Sequence, residues 1–214
     1  GSTFPVAATD LGSALSVRVT ATLLGQTASR TSDPVTVVPN LVTGLNPSVT
    51  GTPKVGLKLT AVPGVAGPSF TYQWLRNGTP ITGSTAATRV LNSYDKGAAL
   101  SVRVTATYLG QKATATSPQT AAVAAGTFTT KSAPYTSGTY RKGYTLKAHA
   151  GTWSPTASTV KYRWLRNGVS IWGATSSRYK LTSKDKGKYI SVRVTVSRAG
   201  YTTKSATSAR HKIR

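Results

Sequence analysis

One phrase occurs three times in this chain. Residues 10–20 read DLGSALSVRVT, residues 95–105 read DKGAALSVRVT and residues 185–195 read DKGKYISVRVT. The leading aspartates, Asp10, Asp95 and Asp185, stand 85 and then 90 residues apart. An internal period fixes the unit of folding. One this long exceeds a solenoid repeat and suits a small domain. The chain therefore reads as a string of modules: 1–42, 43–125 and 126–214.

Inside the phrase the residues alternate. Ile190, Val192, Val194 and Val196 fall on one side, and Ser191, Arg193, Thr195 and Ser197 on the other. Period two marks a strand with one buried face, and β-branched Val and Thr favour the pleated surface. The Asp-x-Gly ahead of it is a turn signal, because Asp bonds its own backbone and Gly accepts positive φ.

The rest of each module extends the pattern. In 43–125, Gly56–Ala61 alternates, Pro63 to Pro68 make a loop, and Thr71–Arg76 is a strand closed by Asn77-Gly78. Asn-Gly between two such runs predicts a type I′ hairpin. A short return strand at 79–82, a strand at 87–91, the repeated phrase and a strand at 111–122 bring the expectation to about seven strands. Module 126–214 keeps the order, with Trp164-Leu165-Arg166-Asn167-Gly168 matching Trp74 to Gly78. Module 1–42 begins about two-thirds of the way through the plan. It offers strands at 3–7, 14–23 and 26–38. Half a sandwich cannot bury its inner face. These strands are expected to belong to a fragment and to find a partner in another module or chain.

Composition supports an all-β chain: Thr, Ser, Val and Gly dominate, and Glu is absent. With no Cys, neither a disulfide nor a thiolate metal site is available. Such a chain suits a secreted bacterial protein folding without an oxidising partner. No apolar run approaches the length of a membrane span, and no leader segment is apparent.

Two features carry a resemblance. The phrase W-L-R-N-G is followed about 17 residues later by D-K-G-x-x-[LI]-S-V, as in the immunoglobulin-like plan. By that likeness Trp74 and Trp164 are core tryptophans, and Asp95 and Asp185 sit at the corner leading into the sixth strand. The cysteines of that plan are missing; Ala61 and Ala148 stand near one of their positions, and Ser101 and Ser191 near the other. More specifically, the chain resembles the immunoglobulin-like repeats of secreted and cell-surface actinobacterial proteins. Module 126–214 has all four of their phrases: Gly151–Pro155, Tyr162–Gly168, Asp185–Thr195 and Gly200-Tyr201. Module 43–125 lacks the first and reads Leu109-Gly110-Gln111 at the last. The expected architecture is thus a tandem of immunoglobulin-like β-sandwiches without disulfides, the first incomplete. Such repeats often flank hydrolases of polysaccharide or cell wall. The resemblance therefore implies an accessory role, a secreted or cell-surface location and an upstream catalytic domain.

Chemistry is hard to find. Asp10, Asp95 and Asp185 are one corner position repeated, and Asp33 precedes Pro34 as a turn residue. No carboxylate pair remains for glycoside hydrolysis. His149 and His211 are far apart in sequence, and no metal-protease, phosphate-loop or nucleophile-elbow motif occurs. Neither an enzyme nor a cofactor is expected.

Charge is the outstanding feature. Residues 1–42 are neutral, 43–125 carry +6 and 126–214 carry +17, making the total +23. The second module folds without that field, which opposes compaction and attracts polyanions. Parity places Lys161, Arg163 and Leu165 outward on the strand bearing Trp164, and Arg193 outward on its neighbour. Arg163 replaces Gln73, and Trp172, on the next strand, replaces Thr82. A Trp beside arginines can stack on a sugar or make cation–π contacts; its alternative role is to cover an apolar patch. Trp153, placed in a loop by the same resemblance, is expected to pack into the core or within that loop. Lys184, Lys186 and Lys188 are expected to form a solvated rim, and His211, Lys212 and Arg214 a basic tail.

The residues expected to hold a ligand are Lys161, Arg163, Arg166, Trp172, Arg178 and Arg193. The leading expectation is attachment to an anionic cell-wall polymer. A carbohydrate-binding module pair and a passive spacer are the alternatives. Nucleic acid fits the charge, but neither a recognition helix nor an aromatic RNA-binding motif is present.

Overall fold

The computed structural model describes residues 2–38, 44–108 and 111–214. The fold is all-β and immunoglobulin-like, built in tandem. The chain packs as two compact units. One comprises Gly1–Thr52, Lys58–Arg89 and Ala98–Ala121; the other comprises Pro53–Leu57, Val90–Gly97 and Ala122–Arg214.

The second repeat contributes seven strands: β5 (Ser48–Thr50), β6 (Lys58–Val62), β7 (Ser69–Arg76), β8 (Thr79–Pro80), β9 (Thr88–Val90), β10 (Leu100–Tyr108) and β11 (Gln111–Thr116). They form two sheets, ordered β5-β6-β9 and β11-β10-β7-β8. The third repeat adds β12 (Thr129–Ser132), β13 (Tyr135–Ser137), β14 (Thr145–His149), β15 (Thr152–Ser154), β16 (Thr159–Arg166), β17 (Val169–Ser170), β18 (Arg178–Lys180), β19 (Tyr189–Ser197), β20 (Lys204–Thr207) and β21 (His211–Lys212). Its main sheets run β13-β14-β18 and β17-β16-β19-β20, with β21 also on β19 and β12 paired with β15.

The alternation read from the repeated phrase holds for its inward residues, although Ser191, expected outward, is also buried. Ile190, Val192, Val194 and Val196 are buried, while Arg193 is exposed. Trp164 lies between the sheets with Leu146, Ala148, Leu181, Ile190, Val192 and Ile213. Its indole Nε1 donates to Ser176 O at 2.9 Å, as Trp74 Nε1 donates to Ala86 O at 2.9 Å. A buried indole N–H needs such a partner. The Asn77-Gly78 and Asn167-Gly168 turns have positive φ at both residues, as the type I′ hairpin requires. Trp153 packs against Phe128, Val194 and Val196, with its Nε1 donating to Ala150 O.

Each repeat has a short 3-10 turn at its aspartate: Ala8–Asp10, Ser93–Asp95 and Ser183–Asp185. In all three, the carboxylate accepts the backbone N–H three residues earlier. The bonds are Ala7 N to Asp10 at 2.8 Å, Asn92 N to Asp95 at 2.9 Å and Thr182 N to Asp185 at 2.7 Å. The repeated aspartate is therefore a corner clamp.

Several expectations need correction. The first repeat has no strand at 3–7. In the other repeats the matching strands, β9 and β18, pair with β6 and β14, and the described residues of the first repeat offer no such neighbour. The 14–23 run divides into β1 (Ala14–Leu15) and β2 (Arg18–Leu23), and 26–38 into β3 (Gln26–Thr31) and β4 (Val35–Thr36), with Pro34 in the gap. Among the described residues these strands pair with one another, β1 with β4 and β2 with β3. Apart from the half-buried Leu15, their side chains stay exposed, Val19 and Leu23 included. The 111–122 strand ends at Thr116. Leu109-Gly110 and the boundary at 42–43 fall outside the described residues.

The basic tail is a structural strand. Ser208 Oγ accepts from Val192 N at 3.0 Å, β21 pairs Ile190 with His211, and Ile213 is buried in the core. A single Ile between Lys212 and Arg214 anchors a segment that charge alone marks as solvated.

Candidate functional site

Three of the six expected ligand residues share one face. β16 and β19 are adjacent and antiparallel, and their register sets Arg163 directly across from Arg193, with Lys161 across from Thr195. Inward partners alternate with them: Tyr162 faces Val194, and Trp164 faces Val192. Lys161 and Arg163 line an open groove of about 360 Å³ with Val160, Tyr162, Thr175 and Thr195. The same face of the second repeat places Gln73 across from Arg103. There the amide of Gln73 donates to Trp74 O at 2.9 Å and Ile81 O at 2.8 Å, so it serves the backbone. Substituting Arg at this position adds a like charge across the ladder, which disfavours pairing by roughly 0.2–1 kcal/mol.

Leu165 has outward parity but is buried, between its cross-strand neighbours Ser170 and Ser191. The cationic face therefore ends at Arg163, which is half-buried. Farther along, Arg210 lies over the ring of Tyr189, 5.1 Å from its centroid.

Arg166 does not belong to that face. It lies two residues beyond Trp164, so it shares the inward parity of the tryptophan. Its Nε donates to Asp185 Oδ1 at 2.7 Å and its Nη2 to Tyr179 Oη at 3.3 Å. Asp185 is fully buried. It also accepts from the Thr182 amide at 2.7 Å, the Thr182 hydroxyl at 2.8 Å and the Tyr179 hydroxyl at 3.0 Å.

The protonation states follow from this cluster. Burial alone would raise the Asp185 carboxyl, but the Thr182 amide, Arg166, the Thr182 hydroxyl and Tyr179 hold it below the ordinary aspartate value. Burial, then the Asp185 charge, pushes the Tyr179 phenol up. Burial works against the Arg166 charge, but the bond to Asp185, the charge of Asp185 and the contact with Tyr179 together outweigh it and raise the guanidinium above its ordinary value. Sequence reading missed Tyr179, which also stacks on Trp164 with centroids 5.4 Å apart. The available signal was its inward parity, two residues before Leu181.

Arg178 also leaves the expected group. It lies on β18, in the other sheet, where it pairs with Lys147 of β14. Trp172 is not on a strand: β17 ends at Ser170, and Trp172 occupies the turn between Ile171 and Ala174, both bonded to the backbone of Trp164. At 96% exposure its indole is not stacked on the arginines. Ile171 packs inward, as expected.

Among the described residues no group of three or more His, Cys, Asp or Glu could hold a metal, and no helix is long and apolar enough to cross a membrane.

No family model and no curated protein matches the chain. The chain is similar to several solved structures. The ICAM-5 D1–D4 ectodomain fragment is 16% identical at a TM-score of 0.37, over 92% of this chain and 61% of that one. The four N-terminal Ig domains of Dscam1 isoform 6.9 are 15% identical at a TM-score of 0.33, over 98% and 56%. The fibronectin(III)-like modules of Clostridium thermocellum CbhA are 13% identical at a TM-score of 0.28, over 76% and 92%. The chain thus spans less than two-thirds of the length of the first two. These likenesses concern fold alone.

Proposed function

We propose that this chain is a non-catalytic accessory repeat region of a secreted or cell-surface protein, and that its third repeat holds that protein to an anionic cell-wall polymer. The Arg163–Arg193 pair carries the reading. Two arginines are cross-strand neighbours on the outer side of this sheet, Arg193 exposed and Arg163 half-buried, where the second repeat has Gln73 across from Arg103. Folding gains nothing from the exchange, and a polyanion does. Guanidinium offers a planar fork to phosphate, and Lys161 adds a point charge. The resemblance of the sequence phrases to immunoglobulin-like repeats of secreted and cell-surface actinobacterial proteins supports an accessory role of this kind.

Salt supplies the test. The chain should sediment with isolated cell walls at low ionic strength and be released between about 50 and 200 mM salt, because binding displaces condensed counterions. Retention at high salt, abolished in Trp172→Ala, would instead establish a carbohydrate-binding module. The exposure of Trp172 favours that second reading. No retention on wall or glycan at any salt would leave the chain a spacer.

A further inference from the structure

The opposite sheet of the third repeat has its own unusual surface. On β13, β14 and β18 the inward residues are Thr136, Leu146, Ala148 and Tyr179. The outward ones are Tyr135, Ser137, Thr145, Lys147, His149, Arg178 and Lys180. Register sets them in three rows. Tyr135 lies across from His149, Ser137 from Lys147 and Lys147 in turn from Arg178, and Thr145 from Lys180. With strands about 4.8 Å apart and a rise of about 3.4 Å per residue, successive rows are roughly 7 Å apart and the middle row is about 10 Å across.

The first row is held in place. The Tyr135 and His149 rings stack with centroids 4.3 Å apart and planes 3° from parallel. His149 Nε2 lies 2.9 Å from Ser137 Oγ, which fixes the imidazole. Tyr135 remains 54% exposed.

The second repeat provides an internal control. In the same register Ser48 lies across from Val62, and Thr50 from Thr60. The inward Leu59 and Ala61 match Leu146 and Ala148. Thus the core is retained and the outside is rebuilt: Ser48 becomes Tyr135, Val62 becomes His149, Thr60 becomes Lys147 and Thr88 becomes Arg178. Two cations facing each other across a ladder weaken it, so the exchange is not explained by the sheet.

We propose that this face is a second ligand site, which takes a sugar residue bearing an acid group: the ring lies on Tyr135 while Lys147 and Arg178 hold the carboxylate or phosphate. A generic polyanion patch needs no oriented aromatic. Here a rigid ring stands one row from a cation pair, so ring and charge are read together. The electron-rich face of Tyr135 meets the C–H face of the sugar, and the Arg178 fork and Lys147 ammonium meet the acid. The proposal rests on the third repeat being the ligand-bearing module, but not on Arg163 or Arg193.

The test is a calorimetric titration of the full chain with an oligogalacturonate, its methyl ester, glucose 6-phosphate and inorganic polyphosphate. Variants Y135S, K147T/R178T and R163Q each carry the residue that the second repeat uses, so the fold is preserved. The acidic sugars should bind, and the neutral ester should bind about ten-fold more weakly or less. Y135S should lower acidic-sugar affinity about five-fold and leave polyphosphate unchanged. K147T/R178T should abolish acidic-sugar binding, and R163Q should leave it unchanged. The tighter of uronate and sugar phosphate identifies the acid group. The site is disproved by an unaffected Y135S, by polyphosphate binding without acidic-sugar binding, or by loss of sugar binding in R163Q. Salt-insensitive wall binding would count against the wall tether without touching this result.

Discussion

Arg163 and Arg193 are cross-strand partners in the third repeat, whereas the equivalent pair in the second is Gln73 and Arg103. Arg163→Gln should therefore stabilise the fold slightly, by up to about 1 kcal/mol, by relieving like-charge opposition. It should also weaken wall binding and reduce the slope of log affinity against log salt by about one. Thermal unfolding and salt-dependent pull-down together check the two opposed effects.

Asp185 gathers donors from Thr182, Arg166 and Tyr179 in a fully buried setting. Asp185→Ala strands those donors and should destabilise the protein by about 3 kcal/mol. Arg166→Met should have a smaller effect, because the arginine is partly exposed and Asp185 keeps its donors from Thr182 and Tyr179. Denaturant midpoints rank the two.

The same cluster sets a pH window. The folded Asp185 value is lowered, so its contribution is complete above the unfolded value of about 3.9 and is lost as pH falls through the folded value. The folded Tyr179 value is raised. Its contribution is complete below about pH 10 and is lost as pH rises through the folded value. Stability measured against pH should decline on both sides, and Tyr179→Phe should remove the alkaline decline and, by taking one donor from Asp185, shrink the acid one.

Ile213 joins the core from the last strand. Ile213→Ala should cost about 3 kcal/mol, an effect that no solvated tail would show. The amide of Arg214, which donates to Tyr140 O at 3.0 Å, should lose its protection from hydrogen exchange in the variant.

In the first repeat, β2 and β3 form a ladder whose twelve side chains are all exposed. Their amides should exchange several orders of magnitude faster than those of β10 and β19, because local opening uncovers no core.

Alternation and turn chemistry carried most of the fold into the sequence. The valines of the repeated phrase, the two core tryptophans and the two Asn-Gly hairpins are local patterns that the sheets simply extend. The corner aspartates were also legible, because one residue recurred at one spacing. The site was legible only along single strands. Parity placed Arg163 and Arg193 correctly, and applied to Arg166 it would have sent that residue inward. Which sheet a strand joins is a long-range fact, so Arg178 was grouped with the wrong face and its partner Lys147 went unnoticed. Trp172 was misplaced because Gly173 lets the chain leave the sheet at a point where spacing suggests it continues.

The exposure of Trp172 has a practical consequence. Trp74 and Trp164 are sealed from solvent, so their emission is shielded from aqueous quenchers, while the indole in the turn is open to them. Trp153 is half-buried, so the most exposed of the four native tryptophans reports on the edge of the β16–β19 sheet. Anything settling there should blue-shift its light and protect it from iodide, without a label being added.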